Sequence, residues 1–454
     1  MLSALALFLR TELEPLLSGK LSDNPIASQL LQELDEIELA SQSSLQPSRR
    51  SLVLPQPKHR NASCTFQSET DRAPPPKPPI AIDFTLTDSV LAKIQQLANR
   101  HDDTHICWLT VFIGAALVHG LKLLVLSDAS APLDAPIRVL NDLDRAIVVA
   151  GASGQQLEWI YKVRELVESS FSPALSVPEQ PKNTPVDVIP ELSDLEFPVK
   201  TYAVDDMDMV RFLTMVQDTS SSVPFIIQGA ISFWSALTTR KWADLEYLRS
   251  AVGHHRLVPV ELGARYTDSD WSQQLMPFGD YLDQLIYPSQ CANPPEVGYL
   301  AQHNLFTQAS RLKRDFSLPD YTQIETGRRA VPEDSVAGSD GVLVNAWLGP
   351  RGTVSPLHFD KYDNVFAQVV GYKYLRFYAP GETENVYPFP PGSALCNTSQ
   401  VDVNEPDLQR FALFSQARYL ECYLGPGDLL YLPVCSSHTT HSHTRYALEK
   451  HRQH

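Results

Sequence analysis

The sequence has no Cys-x-x-Cys pair. Its six cysteines stand apart at 64, 107, 291, 396, 422 and 435, which excludes a zinc ribbon or disulfide scaffold and fits a reducing compartment. Positive charge is scarce: 37 Lys and Arg against 53 Asp and Glu leave −16 over 454 residues. Such a surface argues against direct nucleic-acid binding, since phosphate contact needs dense basic charge. It leaves a basic protein partner open. The 20 glycines have no three-residue period, which excludes a collagen-like repeat. Residues 1–10 carry an apolar stretch without a basic region before it and read as the start of an amphipathic helix, not as a signal peptide. Apolar residues are not lacking. At 43% of the chain they exclude global disorder, and the length predicts two or three domains.

One run is long enough to span a bilayer, Trp108 to Leu126. It holds His119, Lys122 and two glycines and has no basic flank to orient it. The expectation is therefore a buried helix and no membrane contact.

The chain divides by composition. Residues 1–40 read as helix, with Leu5, Leu9, Leu13 and Leu16, then Leu30, Leu31, Leu34 and Ile37, mostly at three- and four-residue steps. Residues 41–80 turn to Ser, Gln, Arg and Pro and read as a flexible or polyproline-like insert. Helical patterns return over 81–171, at 87–97, 106–126 and 155–170. The stretch 172–198 carries six prolines and reads as a linker. From 199 short apolar strands, at 224–229, 257–262, 342–347, 364–370, 374–378, 418–424 and 428–432, alternate with turn residues, which argues a sandwich or jelly roll. Helices are expected within it at 234–252 and 270–287.

His358 and Asp360 stand two apart by a strand end, on one face at period two. With a third ligand they could hold a divalent metal in a two-histidine, one-carboxylate triad. An isolated His-x-Asp is weak, and His101-Asp102-Asp103 receives no role. The odds rise with Gly427-Asp-Leu-Leu-Tyr-Leu-Pro433 followed by His438, a pattern that resembles the closing strand of a cupin-type barrel with its distal ligand.

With these motifs, the stretches Pro224–Gly229, Val258–Gln273, Gly298–His303, Asn345–His358 and Asn397–Asp402 resemble the Jumonji-C (JmjC) family of Fe(II)/2-oxoglutarate oxygenases. They are most similar to its lysine demethylase 8-like subfamily, also described as protein arginyl hydroxylases. The resemblance covers about 200–438. The helical patterns upstream give an N-terminal all-α domain, and the resemblance implies after it a mainly-β cupin-like double-stranded β-helix (jelly roll) with flanking helices, the JmjC domain taking 199–438. It implies His358, Asp360 and His438 as catalytic metal ligands for Fe(II), with 2-oxoglutarate and O2 as co-substrates. Lys373 would hold the distal carboxylate of 2-oxoglutarate, and Tyr299, Trp347, Ser355 and Asn364 would complete its pocket. Glu261, Tyr266 and Trp271 match positions lining a substrate site, where a carboxylate and aromatics suit a guanidinium or methylated ammonium. The expected substrate is a basic protein, such as a histone tail or another Arg- or Lys-containing protein, in the nucleus or cytoplasm. The outcome would be hydroxylation, or N-demethylation where the attacked carbon is an N-methyl.

The same residues have plainer readings. Lys373 could be a strand lysine reaching solvent, Ser355 and Asn364 could cap turns, and Tyr299 and Trp347 could be half-buried aromatics. Glu261 could be a surface carboxylate.

The C-terminus departs from the family pattern. Val434-Cys-Ser-Ser437 stands where relatives carry bulky aromatics, and residues 439–454 read as an atypical histidine-rich tail without a covering strand. Three accounts remain open: a truncated or misread frame past Val434, a genuine tail in which His441 or His443 can replace His438, or an inactive JmjC-like binding module. A different cupin chemistry, such as isomerisation, would not need Lys373.

Overall fold

Amphipathic spacing builds the first half of the chain in the computed structural model. The described residues are 2–18, 21, 24–44, 84–97, 103–126, 134–171, 175, 193–217, 223–263, 265–268, 270–287, 297–324, 342–434, 436–442 and 446–453. The chain divides into two compact units, Met1–Val177 and Pro178–His454.

Among its described residues the first unit holds the helices α1 (Leu2–Ser18), α2 (Pro25–Ser44), α3 (Thr85–Leu97), α4 (Asp103–Leu126), α5 (Asp134–Val148) and α6 (Gly154–Ser170). Leu5, Leu9, Leu13 and Leu17 of α1 and Leu30, Leu34 and Ile37 of α2 enter the core at helical spacing. The long apolar run is α4, the helix at the centre of this core, packed by the other five. It is long and apolar enough to cross a membrane, yet most of it is buried inside the unit. Its glycines explain part of that: a Cβ on Gly114 would lie 2.5 Å from Leu13, and one on Gly120 2.4 Å from Val163. Inside the packing, His119 and Lys122 of α4 stand 3.6 and 3.4 Å from Glu33 of α2. Burial raises the Glu33 carboxyl above its ordinary range, and Lys122 opposes that push. Helix α5, which has the strongest two-faced pattern of the six, has no counterpart in the sequence reading. The proline-rich stretch beyond Ser44 and the His101-Asp102 pair lie outside the described residues.

The second unit is a jelly roll. Its strands are β1 (Lys200–Ala203), β2 (Phe225–Gln228), β3 (Leu257–Leu262), β4 (Ser272–Pro277), β5 (Gly298–His303), β6 (Leu343–Pro350), β7 (Val354–Phe359), β8 (Asn364–Val370), β9 (Lys373–Tyr378), β10 (Tyr419–Leu424), β11 (Leu429–Leu432), β12 (Ser437–Ser442) and β13 (Tyr446–Gln453). The larger sheet runs β1-β2-β11-β8-β13-β6-β5-β3-β4, and the smaller β10-β9-β12-β7. From β6 onward the chain passes from sheet to sheet: β6 to β7, β8 to β9, β10 to β11 and β12 to β13. The β8–β9 crossing is the two-residue turn Gly371-Tyr372, with Gly371 at φ +76°, a conformation glycine adopts without strain. Phe366, Leu375, Phe377, Leu424, Leu430 and Leu432 pack together in the interior.

Two expectations are corrected here. Residues 270–287 are not one helix: β4 occupies Ser272–Pro277 and helical turns follow over 278–286. In 234–252 helix begins only at Leu245 (α8, Leu245–Val252), where Asp244 caps it by accepting from the Glu246 and Tyr247 amides. Helix α7 (Met209–Gln217) was not anticipated.

A third correction is larger. Residues 439–454 do not form a separate tail after the barrel. Residues 437–442 are β12, paired with β7 and β9, and 446–453 are β13, seated between β6 and β8. The covering strand is present. Backbone pairing on both sides holds it, and that needs no alternating aromatic pattern.

Candidate functional site

Strand pairing closes a gap of 80 residues. His358 on β7 and His438 on β12 are direct register partners, so their side chains face the same side, with ring centroids 4.4 Å apart. Asp360 follows the end of β7, its Oδ2 3.9 Å from His438 Nε2. The ligand atoms of His358, Asp360 and His438 all lie within 4.8 Å of one another.

The surroundings prepare these atoms for a metal. His358 Nδ1 lies 2.7 Å from the Pro356 carbonyl and His438 Nδ1 3.2 Å from that of Ser436. A carbonyl can only accept, so each Nδ1 carries the proton and each Nε2 lone pair is left for a metal. Burial pushes His438 down to about 4, with the neighbouring His358 adding to the effect and Asp360 opposing it. It is therefore neutral near pH 7, the form that ligates. Asn364 donates from Nδ2 to Asp360 Oδ2 at 2.6 Å. The donor set and its supporting hydrogen bonds fit a divalent metal of the Fe(II) type.

A β-bulge shapes the wall beside it. The register slips between His438 and Thr440, so Thr440 pairs with Ser355. His438 and Thr440 share a face, and Ser355, three residues from His358, is thereby turned to that same face. His441 pairs with Val354 and points to the opposite one. His443 lies outside the described residues.

Lys373 opens β9, where Lys373, Leu375 and Phe377 all point inward and are buried. Phe377 is the register partner of His438. Lys373 is only 1% exposed. Its Nζ donates to the Tyr299 hydroxyl at 3.0 Å and lies over the Tyr299 and Phe366 rings. Asn364 and Phe366 share the inner face of β8. His358, Asp360, His438 and Asn364 thus form one group, and Lys373 with Tyr299 and Phe366 a second one, the two sharing the inner face of β8 through Asn364 and Phe366. Trp347 is buried on β6.

Glu261 on β3 is the register partner of Tyr299 on β5. Burial raises its carboxyl, while the nearby Trp271 lowers it, although the indole nitrogen falls outside hydrogen-bond geometry. The Tyr266 hydroxyl lies 3.3 Å from Thr398 Oγ1. Burial raises this phenol, and the negative charges of Glu261 and Asp360 add to the push. Thr398 forms an isolated bridge with His358, which places the Glu261–Tyr266–Trp271 cluster beside the three-residue centre. Thr398, Phe366, Arg265 and Asp402 were missed as functional candidates. Three of them lay inside stretches that carry the resemblance, but their partners are distant in sequence.

Residues 214–449 match the family model described as a cupin-like domain. Lysine-specific demethylase 8 of Xenopus tropicalis is 41% identical over 274 residues, covering 60% of this chain and 56% of that protein. Lysine-specific demethylase 8 of Danio rerio is 45% identical over 211 residues, covering 46% and 48%. The human bifunctional peptidase and (3S)-lysyl hydroxylase JMJD7 is 28% identical over 244 residues, covering 47% and 72%. The chain spans about half the length of the first two.

Proposed function

The chain belongs to the cupin-like domain family, in its JmjC branch, and from that premise we propose that it is an Fe(II)- and 2-oxoglutarate-dependent oxygenase acting on side chains of proteins. The observation that carries the proposal is the convergence of His358, Asp360 and His438 within 4.8 Å, beside a buried Lys373 held by Tyr299. Fe(II) bound by the three ligands, with 2-oxoglutarate and O2, supplies hydroxylation of an unactivated C–H.

The chain's own residues do the rest. The Pro356 and Ser436 carbonyls hold the two imidazoles in the ligating tautomer. Asn364 fixes the Asp360 carboxylate through Oδ2, the oxygen that lies 3.9 Å from His438 Nε2. Lys373, oriented by the Tyr299 hydroxyl, is a fixed cation for the distal carboxylate of the keto acid, since a buried ammonium calls for an anion. Ser355 is turned toward that space by the bulge, and Trp347 on β6 would line it. Burial of Lys373, Asn364 and Phe366 keeps water from competing for these contacts.

For the substrate we propose an Arg or Lys side chain of a basic protein. Glu261 would meet the cation, with Tyr266 and Trp271 as aromatic walls. The net charge of −16 favours approach of a basic partner in the nucleus or cytoplasm. Attack on a chain carbon leaves a hydroxylated residue, and attack on an N-methyl carbon leads to demethylation.

The test is succinate release from 2-oxoglutarate by protein reconstituted anaerobically with Fe(II) and then given O2, for the native chain and for Lys373→Ala and His358→Ala. Turnover by the native chain alone supports the proposal. A folded native protein that releases no succinate contradicts it and supports the competing reading of a non-catalytic binding module.

A further inference from the structure

The substrate wall is carried by a loop attached to a segment 137 residues away in sequence. After β3, Gly263 at φ +113° turns the chain outward. Two successive turns then order it: the Asp268 amide donates to the Arg265 carbonyl at 3.1 Å, and the Trp271 amide to the Asp268 carbonyl at 3.3 Å. Tyr266 and Trp271 therefore ride on one folded loop. Tyr266 points to Thr398, while Arg265 points away, into an ion pair with Asp402.

The receiving segment is itself stitched to the metal-bearing strand. The Phe359 amide donates to the Asn397 carbonyl at 2.9 Å, and Asn397 Nδ2 to the Phe359 carbonyl at 3.1 Å. The Ser399 amide donates to the Leu357 carbonyl at 2.7 Å. These bonds flank His358, whose own bridge partner is Thr398. A continuous path thus runs from His358 through 397–402 to Arg265 and the loop with Tyr266 and Trp271.

We propose that the Arg265–Asp402 ion pair is a latch that fixes the height and angle of the substrate wall over the metal centre, Arg265 and Asp402 being positioning residues. The pair is set for this role. Its side chains are 29% and 30% exposed and border a cavity of about 230 Å³ lined also by Thr439 and His441. Solvent reaches both side chains of this half-buried pair and screens it, so it contributes only modestly to overall stability, and its loss is expected to free the loop without unfolding the barrel. Asp402 is nonetheless held below the ordinary carboxylate range: burial pushes it up, but the Asn404 amide and the Arg265 guanidinium outweigh that push. It stays ionised wherever the protein is folded near neutrality.

The substrate role rests on the oxygenase reading, so the test has an arm that does not. Hydrogen–deuterium exchange of peptides covering 263–271 is compared for the native chain, Arg265→Ala, Asp402→Asn and the charge-reversed pair R265D/D402R. The same four are assayed, with Fe(II), for succinate release without peptide and with the acetylated and amidated peptide Gly-Arg-Gly-Lys-Gly. Each single change is expected to speed exchange in 263–271 and to raise KM for the peptide by ~5-fold or more, within the range of coupling between contacting residues. Peptide-free turnover and Tm should stay near native values, and the reversed pair should recover much of both losses. Unchanged exchange in the single variants overturns the latch, whatever the activity. Faster exchange with unchanged peptide KM overturns its role in substrate positioning. Peptide-free turnover falling in parallel also overturns that role. Faster exchange in a chain whose native form releases no succinate leaves the latch standing and rejects the oxygenase reading instead.

Discussion

Lys373 is 1% exposed, its ammonium lying over the Phe366 and Tyr299 rings and donating to the Tyr299 hydroxyl. A carboxylate arriving there gains a charge-assisted hydrogen bond of about 1.5–3 kcal/mol. Lys373→Ala is therefore expected to weaken 2-oxoglutarate binding by roughly 10- to 100-fold while leaving metal affinity within a few-fold, both measurable by anaerobic titration calorimetry. Glu261 offers a pH test. Burial raises its carboxyl, so the folded chain holds that proton more tightly than the unfolded chain does. The ionised form therefore costs stability as pH rises through the raised value, and is also the form that would bind a cation. For a basic peptide, kcat/KM should climb as pH rises through that value. Glu261→Gln should remove this acid limb and lower kcat/KM at pH 7, while Tm holds or increases. A full acid limb in Glu261→Gln would assign it to another group. At this scale His358 and Asp360 were legible because residues two apart at a strand end share a face whatever surrounds them. Thr398, Arg265 and Asp402 were not, since their contacts span 132 and 137 residues and polar residues of this kind usually read as loop.

At the scale of elements, the strands with apolar alternation or apolar runs were visible: β2, β3, β6, β8, β9, β10 and β11 all fall where composition suggested them. The two closing strands were not. Ser437-His-Thr-Thr-His-Ser442 and the stretch after it carry few apolar residues, and a central strand held by two neighbours can tolerate that because the ladder is backbone. β4 was lost inside an expected helix because its exposed Ser272, Gln273 and Gln274 form an edge strand with little apolar signal. Removing β13 would open both β6 and β8. A chain ending at Thr444 is expected to be recovered as aggregate or to lose its cooperative thermal transition, as seen by circular dichroism. Gly349 on β6 supplies a finer probe, since a Cβ there would come 2.5 Å from the Tyr299 ring and 2.8 Å from Thr353. Gly349→Ala should shift Tyr299, lower Tm by roughly 3–10 °C as an overpacked core does, and raise KM for 2-oxoglutarate more than it lowers metal affinity.

Across the whole molecule, the composition says less than the elements but frames them. An acidic balance, scattered cysteines and an apolar α4 are each compatible with several proteins. The burial of α4 among the other described helices resolves one ambiguity in favour of a packed core. On alkaline carbonate extraction of expressing cells the chain is expected in the supernatant, and retention in the pellet would require α4 to leave that core. Among the described residues the helical unit carries no feature that assigns it a task, whereas the jelly roll brings His358, Asp360, His438, Lys373 and Tyr299 from four strands, β5, β7 with its end, β9 and β12, to one interior. The central claim is that this interior is a working oxygenase centre. It is tested most directly by succinate formation from 2-oxoglutarate in anaerobically Fe(II)-loaded protein after O2 is admitted. O2-dependent succinate release by the native chain, abolished in His358→Ala and severely reduced in Lys373→Ala, is the predicted result; a folded, metal-loaded native chain that releases none would contradict it.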